Sequence, residues 1–147
     1  MQKGLTEVFD VNSVIKTLVL CLLTIGAYLI YKLYVFSNQI NKHTEYKIPT
    51  LFIVTASMLF VVSLLSLIYG FLNIHDSTIL RSSIGLHVVS SIFDVTWIIM
   101  VRNRINLMTR AKKGDTLWLN PLSTSLFHVI YMQYKINQIM VKIKAKF

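Results

Sequence analysis

The sequence predicts an all-α integral membrane protein, and three observations predict it. Hydrophobic residues make up 54% of the 147-residue chain and charged residues only 14%, against about 25% charged in ordinary soluble domains. The apolar residues gather into four long runs instead of scattering. No segment alternates apolar and polar residues with the period of a half-buried strand. A bilayer core about 30 Å thick takes roughly 20 mostly apolar helical residues, the scale of these runs.

The first run, 17–31, is uncharged and extends to 14–36 if Lys16 and Lys32 snorkel to the interface. Asn12 and Ser13 stand where caps belong before Val14. The second run, 48–74, carries no charge, and Pro49 occupies a first-turn position. The polar segment 73–83, with Asp76 and Ser77, separates it from the third run, 82–101, which carries only His87 and Asp94. Residues 110–115 form a basic linker broken by Gly114. The fourth run, 117–134, carries only His128, and Asn120-Pro121 is a cap followed by a first-turn proline.

The expected helices therefore cover about 14–36, 49–74, 82–101 and 119–135, within a single membrane domain of residues 1–147. In the basic tail 136–147, Ile136, Ile139, Met140 and Ile143 share one helical face, beside Lys135, Lys142, Lys144 and Lys146. That pattern predicts a short amphipathic helix along the membrane surface. Connections of roughly 8–16 residues are too short to fold alone.

Lys and Arg mark the cytoplasmic side of a membrane protein. If all four runs cross, the two sides carry eight and seven. If only the central two cross and the outer two are re-entrant, the split is fourteen to one. The central pair is thus expected to span, with the turn near Arg81 outside and the basic connections in the cytoplasm; the outer runs span or partly re-enter. The net charge of +9 lies beside the apolar runs, where it meets anionic lipid headgroups, and nucleic acid is not an expected partner. Cys21 is the only cysteine, so neither an intramolecular disulfide nor a cysteine zinc cluster is available. Glu7 and Asp10 with no small-residue cleavage site argue against a signal peptide.

The run ends repeat a pattern: Tyr28-x-x-Tyr31-Lys32-x-Tyr34 before Asn38-Gln39-Ile40-Asn41, and Tyr131-x-x-Tyr134-Lys135 before Ile136-Asn137-Gln138-Ile139. The third run shows Trp97 and then Arg102-Asn103-Arg104-Ile105-Asn106. Aromatic rings seat at headgroup level with cations just beyond, so these segments are expected to be membrane exits. The sharper alternative is a duplicated unit whose asparagines form a polar layer outside the membrane.

Two segments carry a resemblance: Thr24-Ile25-Gly26-Ala27-Tyr28-Leu29-Ile30-Tyr31 with Lys32, and Asn120-Pro121-Leu122 followed by Tyr131-Met132-Gln133-Tyr134-Lys135-Ile136-Asn137. They resemble a bacterial family of small membrane proteins classed as a domain of unknown function, which often has Trp where Tyr31 or Lys32 stands here. The resemblance covers the first and last thirds. It implies a bacterial plasma-membrane (inner-membrane) protein and no particular activity.

The sharpest functional pattern lies in the third run. Ser83, His87, Ser90, Asp94 and Trp97 are spaced 4, 3, 4 and 3 apart, one face of a helix, with Val101 four further on. A carboxylate at membrane depth costs several kcal/mol unless protonated, paired or wetted. His87 is two turns away, about 10 Å, so partners for Asp94 are sought in His128 or in a neighbouring subunit. The stripe reads as interhelical packing across a subunit interface, or as a water-filled, proton-linked path. A metal on His87, Asp94 and His128 is disfavoured, because no pair among them has the i,i+4 spacing of a helical metal motif. Ser63, Ser66 and Gly70 of the second run share a face suited to close packing on Ser83 and Ser90. No nucleophilic triad, paired carboxylates or phosphate loop is present, so neither enzymatic activity nor a cofactor is expected. The expectation is a self-associating, channel-like or effector membrane subunit; the alternative is a small proton- or cation-coupled transporter using Asp94.

Overall fold

A computed structural model describes residues 8–144, and among the described residues there are five α-helices and no strand. The first apolar run is not one helix. α1 (Val14–Leu23) is capped by Ser13, whose Oγ accepts from the Lys16 N–H at 3.2 Å. It ends where Ile25 and Gly26 take positive φ values of 51° and 85°, the left-handed conformation that terminates helices. The freed amides are recaptured: Gly26 N–H donates to the Cys21 carbonyl, and Tyr28 N–H to the Thr24 hydroxyl at 2.9 Å. α2 (Ala27–His43) starts from that turn. The expected helix over 14–36 is thus corrected to two shorter ones, because Thr24-Ile25-Gly26 builds a satisfied turn inside the apolar run.

Among the described residues, α3 (Thr50–Leu72) and α4 (Ser77–Thr109) are the two helices long and apolar enough to cross a membrane. Pro49 caps α3 from outside its first turn, one position earlier than expected. α4 exceeds the expected 82–101 at both ends. Asp76 Oδ1 accepts from the Thr78 and Ile79 amides at 2.9 and 3.2 Å, starting the helix earlier. At the other end the helix runs on through Asn106 until Arg110 turns left-handed at φ 53°. Its 33 residues span about 50 Å at helical rise, more than a bilayer core.

α5 (Pro121–Lys144) begins as predicted, with Asn120 Oδ1 accepting from the Leu122 amide at 2.8 Å. It breaks at His128, whose φ and ψ are 47° and −131°. The tail is not a separate surface helix: residues 136–144 continue α5, and Ile136, Ile139 and Met140 are buried in protein. The side chains of Ile143 and Lys144, and all of Lys146, lie outside the described residues.

Ile25 and His128 each stand three residues before the first tyrosine of a Tyr-x-x-Tyr-Lys motif. Both motifs therefore open a helical segment after a break.

The described residues form two compact units, 49–97 and the remainder. In the second, here the terminal unit, α1, α2 and α5 pack on one another. Leu33, Phe36 and Ile40 of α2, Ile98, Val101 and Ile105 of α4, and Val129, Met132 and Ile136 of α5 are fully or almost fully buried. They recur three and four residues apart, the seam of packed helices. Phe9 meets Phe36 edge-on at 6.1 Å. The hairpin unit, 49–97, is the α3–α4 pair.

Candidate functional site

The hairpin closes along a polar seam. The Ser66 hydroxyl donates to Ser83 Oγ at 3.1 Å, and Ser63 Oγ lies 3.3 Å from His87 Nδ1 while donating to the Phe60 carbonyl. At Gly70 the backbones come so close that a Cβ would stand 2.8 Å from Ser83 Oγ. Farther along, Phe52 stacks on Phe93 at 6.0 Å and meets Trp97 edge-on at 6.5 Å. These contacts set one antiparallel register. Continued, it places Ser90 level with Phe60 and Asp94 level with Ala56, neither of which offers a side-chain donor.

The structure thus brings the predicted stripe onto the α3-facing side of α4 and divides it in two. Ser83 and His87 find polar partners within the hairpin. Ser90 is fully buried, Asp94 half-buried, and Ser90 Oγ and Asp94 Oδ1 have no hydrogen-bond partner among the described residues. Gln39 Oε1, Thr44 Oγ1 and Arg102 Nε share that condition in the terminal unit. Of the five, Ser90 and Asp94 lie on the apolar stretch of a helix long enough to span, where an unmatched polar group costs most, and only Asp94 is a carboxylate. His128, proposed as its partner, belongs to the terminal unit, where its Nδ1 lies 3.2 Å from the Leu126 carbonyl at the α5 break. Among the described residues, no three of His, Cys, Asp and Glu gather closely enough to hold a metal ion.

The terminal unit holds a second polar constellation. Lys32, expected to snorkel, is only 4% exposed. Its ammonium donates to Gln133 Oε1 at 2.9 Å and sits 5.3 Å from the centre of the Phe36 ring. Gln133 is fully buried and donates to the Asp10 carbonyl at 3.1 Å and to Asn137 Oδ1 at 3.0 Å. Burial pulls the Lys32 ammonium below the ordinary lysine range, a shift that the Asp10 carboxylate partly offsets. Sequence reasoning missed this group. Its signal was Gln133 within the 129, 132, 133, 136 ladder of α5, a polar residue on the buried side.

The recurring Ile-Asn pairs acquire a common role. Ile40, Ile105 and Ile136 are fully buried. Asn41 brackets Ile48, donating to its carbonyl at 2.8 Å and accepting from its amide at 2.7 Å, just before Pro49. Asn106 does the same to Leu119, just before Asn120-Pro121, at 3.2 and 2.8 Å. Asn137 donates to the Asn12 carbonyl at 2.8 Å, just before the Ser13 cap. Each asparagine ties a helix to the residue that leads into another. The tyrosines sit outside these ties: Tyr31, Tyr34 and Tyr134 are exposed, Tyr28 pairs with Tyr31 at 5.7 Å, and Tyr131 lies under the Lys135 ammonium at 5.6 Å.

No family model, curated protein or solved structure matches the chain.

Proposed function

We propose that the chain is a small, non-enzymatic integral membrane protein whose α3–α4 hairpin crosses the bilayer and associates with further copies at the half-buried Asp94 of α4. One observation carries this reading: the hairpin satisfies its upper polar groups internally and leaves Ser90 Oγ and Asp94 Oδ1 unmatched. Its outward surface is almost entirely apolar, from Leu51 to Leu72 on α3 and from Ile84 to Val95 on α4. Helices in lipid associate through close packing and polar contacts, not through the hydrophobic effect. A protein this small cannot enclose a pore alone, so a channel-like or effector subunit is the form such a module takes. In this reading the α1–α2 and α5 breaks keep the terminal unit from spanning. The basic connections face the cytoplasm of a bacterium, and the membrane is its plasma membrane.

Crosslinking in native membranes tests it. The expected result is a ladder of oligomers that persists in Asp94→Asn, which keeps a hydrogen-bonding shape. Asp94→Leu weakens the ladder by about 1–2 kcal/mol per contact. A strict monomer in lipid contradicts the reading.

The lone carboxylate supports a second reading, a proton- or cation-coupled transporter in which Asp94 carries the proton. Reconstituted protein then shows pH-dependent flux that Asp94→Asn abolishes while assembly survives. Equal flux through that variant removes it.

A further inference from the structure

The terminal unit contains a groove of about 440 Å³ lined by Thr116, Tyr134, Asn137, Gln138, Val141 and Lys142. Two ammonium groups meet at Thr116: Lys135 donates to its carbonyl at 2.6 Å and Lys142 to its hydroxyl. Both donate to a neutral residue. Asp115, the residue before Thr116, accepts from the Lys112 amide at 2.6 Å through Oδ2 and so serves the loop. The Gln138 amide donates to the Tyr134 hydroxyl at 2.8 Å, closing one wall. Beside these cations Val141 is 68% exposed and Tyr134 47%, so the groove offers apolar wall and positive rim together.

We infer that this groove binds the phosphate headgroup and upper acyl chain of an anionic phospholipid. Two cations with neutral partners attract a phosphate, and clustered basic side chains beside a membrane segment are the sequence-readable form of such sites. A free phosphate ion makes no use of Val141 or the Tyr134 ring, whereas an acyl chain does; the lipid is therefore the occupant. Paired exposed apolar and basic groups are also how a protein seats at the boundary between headgroup and hydrocarbon. The inference rests on the proposed membrane location, and the test separates the two.

The test begins with carbonate extraction of the full-length chain from membranes. The purified chain is then analysed by native mass spectrometry in detergent carrying phosphatidylglycerol or phosphatidylcholine. The wild type is expected to stay in the membrane and retain phosphatidylglycerol in preference to phosphatidylcholine. Lys135→Gln with Lys142→Gln is expected to lose phosphatidylglycerol about tenfold. Lys135→Arg with Lys142→Arg keeps it, as does the charge-matched control Lys42→Gln with Lys47→Gln. Release of the chain by carbonate overturns the membrane reading. Membrane retention with equal phosphatidylglycerol in wild type and the glutamine variant overturns the groove alone. Displacement of the lipid by millimolar inorganic phosphate makes free phosphate the occupant and overturns the lipid assignment. Equal loss in the Lys42/Lys47 control makes the effect one of net charge and overturns the site.

Discussion

The hairpin unit and the terminal unit are built with opposite polarity. In the hairpin, serines and an aspartate share the seam with Ala56, Phe60 and Trp97 while Leu51, Met58, Leu65 and Leu72 face outward. In α2 and the later part of α5, leucine, isoleucine and methionine face inward while Tyr31, Tyr34, Lys42, Tyr134 and Lys142 face outward, the Lys32–Gln133 pair being the buried polar exception. The segments just before the two breaks follow the hairpin's habit: α1 exposes Ile15, Leu22 and Leu23, and α5 exposes Leu122, Leu126 and Phe127. A side chain is buried against whatever its solvent is not. The comparison therefore points to lipid around the hairpin and water or headgroups around α2 and the end of α5.

The largest effect that sharpens this contrast comes from one substitution made twice. Leu33→Ala removes fully buried atoms and is expected to cost about 2–5 kcal/mol of stability. Leu65→Ala removes the same atoms from an exposed helix face and is expected to change stability in micelles by less than about 0.5 kcal/mol. Denaturant titration followed by helical circular dichroism checks both. Equal costs break the contrast.

Next comes the buried lysine. Gln133→Leu leaves the Lys32 ammonium without its acceptor and is expected to cost about 2–3 kcal/mol, most of it restored by adding Lys32→Met. The sign of the pH dependence follows from the lowered Lys32 pKa. The folded chain gives up this proton at a lower pH than the unfolded chain. The burial cost is thus fully present below the folded pKa and fades as pH rises through it toward the ordinary lysine value. Stability measured at rising alkaline pH should increase relative to Lys32→Met, and a flat difference counts against the burial.

The smallest effect concerns the seam. Gly70→Ala puts a methyl group against Ser83 and is expected to cost about 1–3 kcal/mol, largely relieved by Ser83→Gly. Unfolding in a titration of a harsh detergent reports it. An unchanged midpoint means that the two helices do not pack as closely there as described.

The helical class, the two long apolar helices and the Ser13, Asn120 and Pro121 starts were legible because hydropathy and capping are local. The breaks at Ile25 and His128 were not. Both lie inside apolar runs, and Ile and His are not residues that announce a left-handed turn. Thr24 and Gly26 were the available warning at the first, and nothing in the sequence marks the second. Lys32 was misplaced, and its pairing with Gln133 missed, for a related reason. A lysine at the edge of an apolar run usually snorkels, and only tertiary packing shows that Gln133 waits for it. The stripe's face was legible from its spacing, but its division at Ser90 depends on register across the hairpin, which a single helix cannot reveal. The Ile-Asn recurrence was visible as a pattern, while its role in holding helix starts appeared only with the backbone it binds.

The central claim is that the hairpin's outward face lies in the hydrocarbon core and that of α2 and the end of α5 does not. Single cysteines at Leu51, Met58, Leu65 and Leu72, and at Tyr31, Asn38 and Tyr134, in a Cys21→Ser chain test it most directly. The label is a membrane-impermeant maleimide, applied to intact membranes and to membranes opened on both sides. The account predicts that the four hairpin positions resist it in both preparations and that the other three react once both sides are exposed. Reaction at Met58 or Leu65 as fast as at Asn38 would contradict it.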